Sequence, residues 1–365
     1  VTDSALLGVG TLAAGTTATV DADGIVSMGD IRVAWRLRGA GDWIVPGHDA
    51  PARRSRPDPA PVVHTAVRTG RGDVVERVYA TENGNGAIVV VEVANETPEG
   101  IAVGFAVDAA GVVSADDGGI CVHGRRVLVC AHRPGAIEAD GRMVVFPVPH
   151  RTRVRIALTS GKHVDVSALP DSDAVVRAWD RLLDRGMRTE LPEPLQAEVD
   201  VARADLLLAA PSWAAFAALE DWGFDDEAVR MWSRLGIRDR RRAKRDRGDG
   251  VLATTRAALV RETRTELELV PGFRPAWLGQ SIAVHDAPLL AGTCSFAIRW
   301  HGARPALLWD APAGSTVRVP TLDPVWSSKE PVGETLLGEP PSRLLAMGER
   351  VVRSGSRVDT PEQFT

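Results

Sequence analysis

The residues of this sequence closest in type to sugar chemistry are two adjacent carboxylates followed by an aromatic ring, Glu220-Asp221-Trp222. Cleaving a glycosidic bond takes a pair of carboxyl groups, one held protonated as acid and one that activates water or attacks the sugar. Glu220 and Asp221 have the residue type for such a pair and stand at the end of an expected helix beside the Gly223 turn. The plain alternative is a solvated helix end, with Asp225, Asp226 and Glu227 favouring the next helix N-terminus through its dipole.

Ten tryptophans stand against one tyrosine. Sugars stack on aromatic faces, but Trp is also a large core residue. Trp179 and Trp232 fall at inward helix positions, and Trp300 and Trp309 share one apolar hairpin face, so these four read as core. Trp43, Trp277 and Trp326 lie in loop-like contexts and join Trp222 as candidates for binding carbohydrate. His285, Asp286 and His301 add polar groups near that aromatic surface. Nothing places a nucleophile beside them, so a structural role is their plain alternative.

Other chemistry is thinly represented. Cys121-Val122-His123 and Cys130-Ala131-His132 flank an expected turn at Arg125-Arg126, which would set the two cysteines opposite each other on one sheet face. A paired strand rises about 3.4 Å per residue, so His123 and His132, offset along the hairpin, cannot reach one tetrahedral ion together. No metal site is expected. Residues 238–247 hold seven Lys or Arg and two Asp, but no aromatic is interleaved, and a solvated connector accounts for them. Arg71-Gly72-Asp73 reads as a turn. The sequence has no phosphate-cradling Gly-Lys-Ser/Thr loop, no Gly-x-Gly-x-x-Gly entering a helix, no Gly-x-Ser-x-Gly and no His-Glu-x-x-His. Neither a cofactor nor a nucleic-acid partner is expected.

The elements that must position these residues divide by period. Runs at 31–37, 74–79, 87–93, 101–107, 119–123, 127–131, 143–148 and 153–158 are rich in β-branched residues and punctuated by Gly, Asn, Asp and Pro, the pattern of a sandwich. Ile88-Val89-Val90-Val91 is apolar on both faces, as a covered central strand would be. Residues 46–61, rich in Pro and Arg, read as a long surface loop.

Near Pro170 the period becomes helical. Asp171-Ser172-Asp173 can cap a first helix, a second runs from about Pro192 and stops before Pro211, and a third starts at the cap Ser212. A fourth runs from Asp225, and the short Gly223-Phe224 link makes the last two an antiparallel hairpin. From about residue 256 the period returns to two. If Gly302 and Ala303 form a hairpin loop, Phe296 faces Trp309 and Ile298 faces Leu307.

The fold class expected is mainly β with a helical insert (α+β). Its parts are an N-terminal β-sandwich over 1–168, a helical segment of about four helices over 169–250, a small β domain over 251–320 and an extended arm over 321–365. Net charge is −5, with 44% hydrophobic and 25% charged residues, an ordinary globular balance. No stretch approaches the roughly 18 apolar residues that span a bilayer, no leader-like segment opens the sequence and cysteines are sparse. A cytoplasmic protein without a membrane partner is the expectation.

Three stretches carry a resemblance. Val74-Val75-Glu76-Arg77-Val78-Tyr79 followed by Val91-Glu92-Val93-Ala94-Asn95-Glu96 looks like paired sandwich strands. The run from Ala217 through Glu220, Asp221 and Trp222 to Ala228 looks like one helical hairpin, and Leu269 through Trp277, continuing at Ser295 to His301, looks like a C-terminal β domain. The order of sandwich, helical hairpins and small β domain resembles six-hairpin glycosidases of the glucoamylase type with the helical barrel truncated. The resemblance implies a carbohydrate-binding or accessory protein. A minimal glycoside hydrolase or lyase acting through Glu220 and Asp221 is one alternative, and a structural protein self-associating through the helical segment is another.

Overall fold

The computed structural model describes residues 6–12, 14–70, 72–84, 86–161, 164–236 and 250–347. The basic run 238–247 and Arg71 of the Arg-Gly-Asp tripeptide lie outside these described residues. The chain forms two compact units. One comprises the residues up to Arg181 with Leu207–Ala210, and the other comprises Leu182–Leu206 and the residues from Pro211 onward.

The first unit is a sandwich of two antiparallel sheets. The seven-stranded sheet runs, in spatial order, Leu7–Thr11, Gly15–Val20, Val26–Met28, Ile31–Arg38, Ile101–Asp108, Met143–Val148 and Ala136–Glu138. The eight-stranded sheet runs Val113–Asp116, Gly119–Val122, Arg125–Cys130, Arg153–Leu158, Gly86–Asn95, Gly72–Asn83, Val63–Thr69 and Ala52–Ser55. Alternation drives the layering: Val33, Trp35 and Leu37 of one strand enter the shared core while Arg32, Arg36 and Arg38 point away.

Strands Met143–Val148 and Arg153–Leu158 have the bounds that the β-branched runs predict, and the other expected runs differ only at their ends. Ile88 to Val91 is buried on both faces, as its continuous apolar pattern requires. The Pro-rich stretch 46–61 is not all loop. It contributes the short strand Ala52–Ser55 on the sheet edge, where Arg53 and Arg54 deter further pairing.

The expected cysteine pairing is corrected. The chain turns at His123-Gly124, whose φ angles of +51° and +74° suit a tight hairpin turn, and the register shifts between Ile120 and Cys121. Cys121 consequently faces Arg126, and Cys130 pairs with Ile156 of the next strand.

Helices α1 (Ser172–Leu183), α2 (Leu195–Leu207), α3 (Trp213–Asp221), α4 (Asp225–Arg234) and α5 (Val251–Leu259) lie between the N- and C-terminal sheet regions. The caps are those the sequence predicts. Asp171 Oδ1 accepts the Ala174 N–H at 2.9 Å, and Ser212 Oγ accepts the Ala215 N–H at 3.1 Å. Gly223, at φ +72°, turns α3 into α4. Helix α5 departs from the expected return to strand: Leu252, Thr255, Ala258 and Leu259 recur at helical spacing and are buried.

These helices form a short insert, so the protein is mainly β with a helical insert that separates N- and C-terminal sheet regions along the chain. The resemblance to a six-hairpin glycosidase is thereby overturned. Two large antiparallel sheets dominate, and the α3–α4 hairpin belongs to the insert, not to a six-hairpin barrel. The signal misled because an amphipathic hairpin between strand-rich regions is a local pattern common to unrelated architectures.

The second unit carries a five-stranded sheet of Arg188–Glu190, Ile282–Leu289, Gly292–His301, Arg304–Asp310 and Val332–Leu336, and a four-stranded sheet of Val260–Glu262, Glu266–Leu269, Thr316–Val319 and Asp323–Ser328. The hairpin around Gly302 has the register read from sequence, with Phe296 opposite Trp309 and Ile298 opposite Leu307. The stretch expected as an arm supplies strands Asp323–Ser328 and Val332–Leu336. Their pairing is set by the neighbouring strands rather than by strong alternation of their own. Among the described residues no helix is long and apolar enough to cross a membrane.

Candidate functional site

Three loops of the first unit meet at one end of its sandwich around a cleft of about 560 Å³. The segment following strand Ile31–Arg38 supplies Asp42, Trp43 and Asp49, the turn after Val63–Thr69 supplies Gly70, and the turn before Ile101–Asp108 supplies Thr97 and Glu99. Loops carried on paired strands are where binding groups are commonly held.

Two of the three loops are pinned by polar side chains. Trp43 Nε1–H donates to Glu138 Oε2 at 3.1 Å, Arg38 lies 4.3 Å over the indole ring and the same Arg38 pairs with Glu138 at 3.2 Å. A Cβ on Gly104 would meet the edge of that ring, so the glycine is what lets Trp43 approach the sheet. Asp49 Oδ2 accepts the Val45 N–H at 2.8 Å. That bond and the neighbouring His48 hold the Asp49 carboxyl below the usual carboxylate range.

Asn95 is 1% exposed and organises the third loop. Its amide donates to Glu99 O and Val148 O at 2.7 and 2.9 Å, and its Oδ1 accepts from Thr97 N and Oγ1 at 3.0 and 2.8 Å. Arg38 is balanced by Glu138, and Asp42 and Asp49 also line the cleft. The arrangement suits a ligand rich in hydroxyl donors and free of negative charge.

The structure scatters the other residues singled out by sequence. Trp277 is 3% exposed and stacks edge-on against Phe273 at 5.7 Å. Trp326 is half-buried and packs edge-on against Trp309 at 5.2 Å. His285 pairs with Glu190 at 3.5 Å and Asp286 with Arg188 at 3.2 Å, which ties two neighbouring strands at the surface. His301 is exposed beside the Gly302 turn, opposite Arg304.

Glu220 and Asp221 are exposed on the last turn of α3, whereas Trp222 is fully buried. Burial, with the charges of Asp221 and Asp225, pushes the Glu220 carboxyl above its ordinary range. Asp221 and Trp222 both line a second cleft, in the helical part of the second unit. Sequence reasoning found Trp43 but not Arg38, Asp42, Asp49, Asn95, Thr97 or Glu99. The available signal was turn chemistry at 95–100 and 39–42, where polar and glycine residues interrupt strong strands.

No protein-family model matches the chain, and no curated protein is significantly similar to it.

Proposed function

We propose that the chain is a non-catalytic carbohydrate-binding or accessory protein whose sugar site is the loop-end cleft around Trp43. One observation carries this reading: a partly exposed tryptophan and the carboxylates of Asp42 and Asp49 share a cleft, two of whose loops are pinned by hydrogen bonds in the absence of ligand. Preorganised loops lower the ordering cost of binding. An aromatic edge can take the C–H face of a sugar while carboxylates accept its hydroxyl protons.

The excess of acidic groups favours neutral or amino sugars over uronic or phosphorylated ones. Calorimetric titration with neutral trisaccharides (maltotriose, cellotriose, chitotriose) should give saturable binding, and trigalacturonate none. Trp43→Ala should weaken that binding about tenfold or more, and Asp42→Asn should weaken it without disturbing the Trp43 anchor. Silence across the neutral sugars, or tighter binding of the uronate, refutes the reading.

Catalysis by Glu220 and Asp221 has less support, because consecutive helical residues diverge by about 100° and do not face each other across a cleft. Self-association through the helical segment is favoured by Val229 and Trp232 of α4, 69% and 39% exposed. All three cysteines are free thiols, which supports work in a reducing compartment such as the cytoplasm. The net charge of −5 favours no nucleic-acid partner.

A further inference from the structure

In the second unit, α2, α3, α5 and the strand Val260–Glu262 surround a cleft of about 690 Å³, in the range of small-molecule sites. Its helical walls are largely alanine: Ala202 of α2, Ala214, Ala217 and Ala218 of α3, Ala253 and Ala257 of α5. Helices with small facing side chains can approach to about 8 Å. Here they leave an apolar space instead.

Two polar groups in this wall are donors short of acceptors. Trp222 is fully buried, and its indole N–H has no hydrogen-bond partner among the described residues. Arg256 donates Nε–H to Asp221 O at 3.2 Å, Nη1–H to Val260 O at 3.0 Å and Nη2–H to Pro288 O at 2.6 Å. A guanidinium has five N–H groups, so one remains on each Nη. These bonds all go to backbone carbonyls, and the carboxylates of Asp221 and Glu262 act on the cation through space. Glu262 Oε2 accepts the Leu290 N–H at 2.8 Å, and the other lining cation, Arg261, pairs with Glu268. Among the described residues, Arg256 is thus the cation of the cleft that no carboxylate contacts directly, and it stands at the edge of an apolar chamber.

We propose that this cleft binds a small, largely apolar carboxylate. The apolar body lies against the alanine walls, and the head group accepts from the remaining Arg256 N–H groups and from the Trp222 indole. An alkyl chain gains from leaving water against such walls, and a carboxylate supplies the acceptors that both donors lack. The site is independent of the loop-end cleft and of any sugar.

The test is calorimetric titration of the full chain with decanoate, methyl decanoate and decylamine, all below micelle formation. Decanoate should bind saturably at one site, with the ester and the amine each about tenfold weaker or more. Ala218→Phe should fill the chamber and abolish binding while the melting temperature holds or rises. Trp222→Phe, which keeps a buried ring but removes the N–H, should weaken decanoate about tenfold and leave methyl decanoate less affected. Failure of wild type to bind decanoate, equal affinity for the ester, or undiminished binding by Ala218→Phe overturns the proposal.

Discussion

Replacing Glu76 by Gln should make the protein progressively more stable than wild type as pH rises. Glu76 is 1% exposed and shares the inward face of strand Gly72–Asn83 with Val74 and Val78. Its Oε2 and the nearby Thr65 Oγ1 both lack a hydrogen-bond partner of good geometry. A Cβ on Gly24 would collide with Glu76 Oε2 and Trp35 Nε1, so the carboxyl is enclosed by protein with no room for compensation there.

Burial pushes the Glu76 carboxyl well above its ordinary value of 4.5; the Thr65 hydroxyl opposes this, and the Asp21 charge adds to it. An acid with a higher pKa folded than unfolded binds more protons in the native state between the two values, so its contribution to stability is lost as pH climbs through that window. Gln stays neutral throughout and escapes the loss. Near pH 4.5 and below, variant and wild type should differ by no more than about 1 kcal/mol, since both then carry a neutral polar group. Above it the gap should widen by up to about 1.4 kcal/mol per pH unit until the raised value is passed. Urea midpoints followed by tryptophan fluorescence from about pH 4 to about pH 8, read at a common slope, measure this. A gap that stays constant, or one that closes as pH rises, would show that Glu76 is not held protonated and would refute the reasoning.

Two further outcomes follow from the packing. Asn95→Ala removes four short hydrogen bonds at a buried turn, so unfolding free energy should fall by about 3 kcal/mol and neutral-sugar affinity should fall with it. A loss under about 1 kcal/mol would mean that the turn holds without it. If Val229 and Trp232 mediate self-association, light scattering should show a mass above that of one chain which Val229→Asp returns to the monomer. A clean monomer at every concentration removes that reading.

The strands were legible wherever period and burial agree. Ile31–Arg38 alternates and is half-buried, and Ile88 to Val91 is continuously apolar and covered on both faces, so each announces its environment. The caps Asp171 and Ser212 were equally readable, because capping is settled within three residues. The number and partnership of elements were not readable. One helical hairpin looks the same whether five more follow it or none, so the six-hairpin resemblance rested on local pattern alone. The cysteine register failed for a smaller reason of the same kind: a positive φ at His123 and a bulge at Cys121 moved the turn by one pair.

The candidate sites were harder still, because residue type fixes chemistry only after environment has chosen it. Trp222 and Trp277 have the aromatic faces that a sugar needs, but both are buried, and His285 and Asp286 are engaged in strand-to-strand polar contacts. Trp43 differs in that its neighbours fix its ring while leaving part of it in a polar cleft. The groups around it come from positions 42, 49, 97 and 99, brought together by strand pairing that no spacing rule encodes. The alanine-walled chamber shows the converse. Its lining residues are among the least distinctive in the chain, and only their arrangement around Arg256 and an unpartnered indole gives them a chemical meaning. Both sites therefore depend on what side chains leave unsatisfied or exposed after folding, a quantity that exists only once the packing does.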